Sequence, residues 1–483
     1  MLSQSSECSK PRIGIIGGGV GGATIALKLS EQGANVVLFE KETSLVNGPP
    51  MCHLHAGGNL YREISDQQCI DLLKQSISTA RLYRDAIDYR PTVIAVPIDD
   101  NGRTEDVIAR LNILQQEYRQ LIADDPCNQV LGPAAEYFTQ YDRQALEALK
   151  TQPTPKVPKT PDQWMIAFAK NTDLNQLKYP VCLVQEYGIS VFRLAAIASL
   201  TLEKSDNCQV LTQTQVISVN QNKQNHKWTI EASVADKNQT FEVDYLINAC
   251  GFRTGTIDDM VGLQPKRMVE FKAAYISHWA RHENNWPEII FHGTRGTKNG
   301  MTQLTPYPNG YFQIHAMTPD VTLFEDGLVS SALTSAQPQL PNKFMAKVNH
   351  QWEPAIINSR TTKAIDKVAT FIPSFSDATV GGPPMYGAQQ IPGVDASLRV
   401  ADVAFEDKTY ARCEIVKASS ALPAANTIIE HLIEQGILVD TDTPDTGNVM
   451  TVDLAEEEVS ARAESLALAR NFPKEMAALT NSL

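Results

Sequence analysis

No two of the eight cysteines (Cys8, Cys52, Cys69, Cys127, Cys182, Cys208, Cys250 and Cys413) form a CxxC pair. Without that spacing, a structural zinc site or a paired-thiol redox motif is not expected, and free thiols in a reducing cytoplasm fit best. Long apolar runs are missing as well. No stretch approaches the roughly 20 residues of a membrane span. The first ten residues are polar, without the apolar core of a secretory signal. Basic excess is absent too. The formal net charge is −13, whereas a nucleic-acid partner requires a basic face. What remains is a globular composition, 43% apolar and 20% charged. At 483 residues such a chain is too long for one ordinary core, so two intertwined or sequential domains are expected.

The chain is organised around Arg12-Ile13-Gly14-Ile15-Ile16-Gly17-Gly18-Gly19-Val20-Gly21-Gly22-Ala23. It reads as a buried strand, a glycine turn, a helix over 23–32 and a second strand over 35–39. Gly17, Gly19 and Gly22 fall at GxGxxG spacing. The first allows a tight turn, the second lets backbone approach a pyrophosphate, and the third lets helix and strand pack closely. The helix start supplies N–H donors and a positive dipole end. Glu40 ends the second strand, where a carboxylate can accept both ribose hydroxyls of an adenosine. Strand, turn, helix, strand and acidic terminus in this order predict a dinucleotide site. Gly18, Val20, Gly21 and Lys41 complete its expected contacts.

Further along, Met51-Cys52-His53-Leu54-His55-Ala56-Gly57-Gly58 pairs glycines as backbone does when pressed against something flat. Residues 66–88 repeat apolar positions at three and four, a helical period. A short strand is expected over 92–97, and helices over 104–122 and 143–150. Residues 151–161 hold four prolines between lysines, a stiff exposed connection. Together, 63–180 reads as a helical insertion or cap, suited to a homodimer contact.

A helix over 192–204, a strand over 209–219, a hairpin over 227–243 and an apolar strand over 245–249 follow. That last strand runs into Cys250-Gly251, where a second loop can close over a cofactor. From 266 to 372 the strands are longer and aromatic-rich, as in a mostly antiparallel sheet roofing a cofactor. A strand over 398–405, one long helix over 414–435 interrupted at Pro423, and an amphipathic helical tail from 452 complete the reading.

With these pieces in order, the chain resembles the D-amino-acid-oxidase-like FAD-dependent oxidoreductases over roughly 11–62, 181–280 and 300–435. The resemblance implies an α/β fold. A Rossmann-like FAD-binding domain of glutathione-reductase type (11–62, 181–262 and 375–438) would interleave with a mixed, mostly antiparallel substrate domain (263–374). The helical insertion (63–180) and the C-terminal tail (450–483) would be additions. It also implies FAD as cofactor, with Val216 giving backbone contacts and Ala249, Cys250 and Gly251 forming the second flavin-contacting strand end. His55-Ala56-Gly57-Gly58 lies where related proteins pass a loop along the isoalloxazine. His55 is therefore a candidate for an 8α-histidyl link, with non-covalent contact or a structural role as alternatives. The C-terminal part departs from that pattern: Lys417-Ala418-Ser419-Ser420 replaces a Gly-x-Gly-His-Gly-type run. Lys417, Ser419 and Ser420 would still suit the negative charge of reduced flavin. Aromatic hydroxylases carry a Gly-Asp pair where this chain has Ile391-Pro392-Gly393.

The implied reaction removes hydride from a C–H next to nitrogen or oxygen of a small amine, amino acid or 2-hydroxy acid and delivers it to flavin N5. It asks for a cation to clamp an anionic substrate and for a group to hold a proton. Arg62, Arg193, Arg253 and Lys272 are the clamp candidates. His55, Lys417, and Tyr311 with His315, which share a strand face at i and i+4, are the candidates nearest the chemistry. The alternatives are a flavin monooxygenase using NAD(P)H and O2, and a non-catalytic flavoprotein that assists maturation of another enzyme. The electron acceptor is left open; one in the membrane would require peripheral attachment.

Overall fold

The computed structural model describes residues 10–48, 54, 64–234, 237–280, 286–396, 402–439, 451 and 453–480. Its first sheet grows from the opening βαβ unit, β1 (Arg12–Ile16), α1 (Val20–Glu31) and β2 (Asn35–Phe39). β1 lies between β2 and Tyr245–Asn248, parallel to both. The full order is Asp402–Asp407, Tyr410–Glu414, Tyr245–Asn248, β1, β2 and Cys208–Leu211. A parallel sheet needs both faces covered, which is why its strands read as near-continuous apolar runs. On one side, α1 packs against helices Ala421–Glu434 and Val191–Glu203. On the other lies a three-stranded antiparallel sheet of Thr214–Gln221, Trp228–Val234 and Lys237–Val243. Its Val243 and Ile230 come so close to Gly14 that an added Cβ would touch them at 3.1 and 3.2 Å.

The second sheet has ten strands centred on Arg267–His278, which pairs antiparallel with Tyr311–Ala316, Leu328–Ser330, Thr379–Val380 and Met385–Pro392. It continues through Thr302–Pro306 and Glu288–Phe291 to Thr92–Pro97, Leu177–Val184 and Phe138–Tyr141. Helix Pro354–Ala369 covers its back, and Trp279, Trp286, Phe291, Phe312, Phe371 and Phe375 fill the space around it.

Residues 63–180 are therefore not a separate helical cap. They contribute two whole strands and half of a third to this sheet, where Val93 and Ala95 are buried in its core. The strand expected over 209–219 is in fact two. Gln213 takes a left-handed conformation (φ 50°), and the amides of Gln213 and Thr214 bond to the carbonyls of Glu42 and Glu40. One half stays in the parallel sheet and the other leaves for the antiparallel one. The long helix expected from residue 414 begins instead at Ala421, since Tyr410–Glu414 is a strand. Pro423 does not interrupt that helix: it sits in the first turn, where its missing N–H is not needed. In the tail, the helix Glu456–Ala469 lies among the described residues.

A buried ion cluster joins the two sheets. Arg267 of the second sheet pairs with Asp258 and, at 2.8 Å, with Glu414 of the first. Arg412 completes the set with Asp258 (3.3 Å) and Glu414 (3.2 Å). Two cations against two carboxylates leave no net buried charge at the junction. Removal of one member would cost about 3–5 kcal/mol.

Candidate functional site

Between the two sheets lies a cavity of about 1050 Å³, at the upper end of the roughly 300–1,000 Å³ usual for small-molecule sites. It reaches from the glycine turn to the face of the second sheet.

At the turn the three spaced glycines do three different things. Gly17 has φ +103°, and a Cβ there would meet the Ala249 carbonyl at 2.5 Å. Gly22 would meet the Gly17 carbonyl at 1.9 Å, so helix and strand touch backbone to backbone. Gly19 has nothing within 4 Å; it lines the cavity and leaves room for another molecule's approach. Gly19 is also the N-cap of α1 and offers no side chain to cap it. The first amides of α1 therefore depend on something outside the helix. Val20 and Gly21 line the cavity, while Gly18 and Gly22 serve the turn behind it.

The Gly18 amide donates to Glu40 Oε2 at 2.7 Å, and the Glu42 amide donates to Oε1 at 2.8 Å. Burial raises the Glu40 carboxyl above its usual range, and these two backbone donors oppose the rise. Each oxygen keeps a further lone pair for a hydroxyl donor. Lys41, paired with Glu42 at 2.9 Å, and Val216, Ala249, Cys250 and Gly251 also line the cavity. The Cys250 thiol donates to the Ile16 carbonyl (3.1 Å). Burial pushes its pKa far up, so it is no thiolate nucleophile.

The opposite end is built from side chains. Lys272 is held by Glu270 (2.7 Å) and by Gln389 Oε1 (2.8 Å). The other oxygen of Glu270 takes Arg295. Lys417 lines the same space. Its approach is fixed by Gln389 and Gln390, whose amides donate to the carbonyls of Val416 (2.6 Å) and Ile415 (2.8 Å). His315 lies opposite Gln303 across a strand pair, and both line the cavity. Burial first, then the positive charges of Lys272, Lys417 and Arg295, pull the His315 pKa down to about 3. The imidazole is neutral at physiological pH, in an electropositive pocket.

Other expected residues fall elsewhere. Arg193 is buried away from the cavity, where it donates to the Asp85 carbonyl and pairs with Glu456 at 2.5 Å. It does not border the cavity, so it is no clamp for a substrate there. Tyr311 packs against His278 (4.6 Å between ring centroids, planes tilted by 36°) and is not among the residues that line the cavity. Ser419 and Ser420 are buried behind Lys417 and tie to helix Asp66–Leu82 through Thr79 (3.2 Å) and Gln75 (2.8 Å). Arg253 lines the cavity with its guanidinium 5.1 Å from the Phe252 ring. His55, Ala56, Gly57, Gly58 and Arg62 lie outside the described residues.

Sequence reasoning missed Arg295, Gln303 and Arg470. Arg295 sits in a turn rich in glycine and threonine, like many surface turns. Gln303 shares its fully buried strand with two other polar residues, Thr302 and Thr305, so its side chain alone did not mark it. Arg470 follows a helix far from any motif.

Residues 15–46 match the family model of an NAD(P)-binding Rossmann-like domain. No curated protein sequence matches the chain. Among solved structures, the L-amino acid deaminase from Proteus vulgaris is similar over 93% of this chain and 99% of its own, with 10% identity and a TM-score of 0.57. Glycine oxidase from Geobacillus kaustophilus is similar over 88% of this chain and 95% of its own, at 13% identity and TM-score 0.54. For the glycerol-3-phosphate dehydrogenase from Bacillus halodurans complexed with FAD, the values are 97% and 74%, at 12% identity and TM-score 0.53. At such identities the shared property is the fold, a Rossmann-like domain interleaved with a second, mostly antiparallel sheet. No helix among the described residues is long and apolar enough to cross a membrane.

Proposed function

We propose that the protein is an FAD-dependent oxidoreductase that oxidises a C–H bond next to nitrogen or oxygen in a small anionic substrate, an amino acid, an N-substituted amino acid or a 2-hydroxy acid. The observation that carries this reading is the two-ended cavity. One continuous space joins a glycine turn with uncapped helix amides to a pocket where Lys272 and Arg295 share the Glu270 carboxylate and Lys417 also lines the wall. The fold shared with three proteins whose names state a deaminase, an oxidase and an FAD-complexed dehydrogenase supports it.

The residues present fit the dinucleotide. The α1 amides suit a diphosphate, Glu40 suits ribose hydroxyls, and Val216 with Ala249–Gly251 borders the space between. FAD, when bound, supplies the two-electron acceptor that the side chains lack. Lys272 and Arg295 bind a substrate carboxylate; Glu270 bridges them and fixes their spacing. Neutral His315, opposite Gln303 on the neighbouring strand, accepts a hydrogen bond from a substrate amine or hydroxyl and so orients that group for oxidation. Lys417, fixed through Gln389 and Gln390, places a positive charge where negative charge would accumulate.

The test is an absorption spectrum of the purified protein, or of the protein after incubation with FAD, followed by anaerobic mixing with amino acids, N-methyl amino acids and 2-hydroxy acids. Bleaching of the flavin bands by one of these classes is expected. Rapid NADPH oxidation without such bleaching would point to a monooxygenase. A protein that takes up no FAD would end the proposal.

A further inference from the structure

The C-terminal tail belongs to the cavity. Helix Glu456–Ala469 lies along Val191–Glu203, burying Val459, Ala463 and Ala467. Arg462 and Glu203 form a two-pronged pair (2.7 and 3.0 Å), and Lys204 meets Glu458 at 2.9 Å. This fixes the position of Ala469–Phe472, which line the cavity.

Arg470 then reaches the segment that follows β2. It donates to the Val46 carbonyl (3.1 Å), the Leu45 carbonyl (2.9 Å) and Ser44 Oγ (3.0 Å). All three are neutral acceptors. Its Nε is buried without a hydrogen-bond partner, and no carboxylate pairs with it among the described residues. The segment it holds is pressed on the glycine turn. Val46 bonds through its amide to the Gly18 carbonyl (2.8 Å) and adopts φ 54°, an uncommon state for a β-branched residue. A guanidinium held among neutral groups, beside helix amides that also lack partners, leaves positive charge on that side of the cavity needing an anion. Burial accordingly draws the Arg470 pKa down to about 10, and Glu40 and Glu42 only partly oppose this.

We infer that Arg470, delivered by the C-terminal tail, is a cofactor-binding residue that pairs with the diphosphate of the dinucleotide. The inference rests on the proposed FAD reading. It makes the tail a functional part of the nucleotide site. The anion offered by a diphosphate matches the planar guanidinium fork and supplies the charge that the carbonyls of residues 45 and 46 cannot.

Flavin-free full-length protein, wild type and Arg470→Gln and Arg470→Lys variants, should be titrated with FAD, ADP and adenosine by calorimetry. Arg470→Gln is expected to weaken FAD and ADP roughly 10- to 100-fold, the effect of one charge-assisted contact, with adenosine changed less than about twofold. Arg470→Lys should recover part of the loss and keep the same order among the ligands; it also serves if Arg470→Gln does not fold. Equal losses for ADP and adenosine would mean that Arg470 only shapes the segment it holds, and would overturn the inference. Unchanged affinities would overturn it too. Wild-type protein that binds neither FAD nor ADP would instead overturn the FAD reading on which it rests.

Discussion

The two ends of the cavity are made in different ways. The glycine-turn end is built of backbone: amides of α1, the turn at Gly17–Gly19, and one carboxylate gripped by two amides. Its parts come mostly from one continuous stretch of about thirty residues, the usual span of such a unit. The other end is built of side chains from separate strands and turns: Lys272, Arg295, Gln303, His315 and Lys417. A backbone site tolerates change in most side chains but almost none in its glycines. A side-chain site is the reverse, able to alter what it binds while the strands beneath stay put.

That contrast can be broken most severely at Gly22. A methyl group there would lie 1.9 Å from the Gly17 carbonyl, so Gly22→Ala must force the helix off the strand. The expected cost is about 3 kcal/mol or more. Thermal melts should show a large drop in stability, and retained flavin should be lost. A Gly22→Ala protein as stable as wild type would mean that the close approach of α1 and β1 is not a constraint.

At the other end the effect should be smaller and selective. Lys272→Met is expected to raise KM for a carboxylate-bearing substrate roughly 10- to 100-fold, as for loss of one charged hydrogen bond. FAD affinity should stay unchanged, since Lys272 belongs to the far end. Steady-state kinetics beside a flavin titration would separate the two, and a parallel loss of FAD would blur the division between the ends.

The mildest effect concerns pH. His315 has a folded pKa of about 3, below its ordinary value of 6.5. Between these values the unfolded chain binds the proton and the folded chain does not. Stability therefore falls as pH drops from about 6.5 towards 3, and the His315 contribution is fully present above 6.5. Melting temperature against pH should decline less steeply over that window for His315→Gln than for wild type. For the same reason, His315 should add no acidic limb near pH 6.5 to the pH profile of kcat/KM.

How far each end could be read in advance follows from this construction. Gly17, Gly19, Gly22 and Glu40 were legible because local spacing and local backbone geometry are one constraint. Lys272, His315 and Lys417 could be named but not joined; nothing in the chain shows that Glu270 bridges Lys272 to Arg295. Arg193 looked as available as Arg253, and only burial beside Asp85 and Glu456 distinguishes them. Residues 63–180 looked like a helical addition because their helices have strong periods. Their strands are short, and two of them lie at one margin of a sheet whose central strand comes much later in the chain.

The sequence by itself determined the βαβ unit, the alternation that makes a parallel sheet and a second antiparallel one, and the glycines that no other residue could replace. These depend on contacts between near neighbours, where spacing in the chain is spacing in the molecule. Tertiary structure decided which cations face the cavity, that an imidazole among them stays neutral, and that a tail beginning more than four hundred residues after the glycine turn reaches back to its flank. Burial, and the charge that burial leaves uncompensated, are properties of the packed chain. They arise only once distant segments have met.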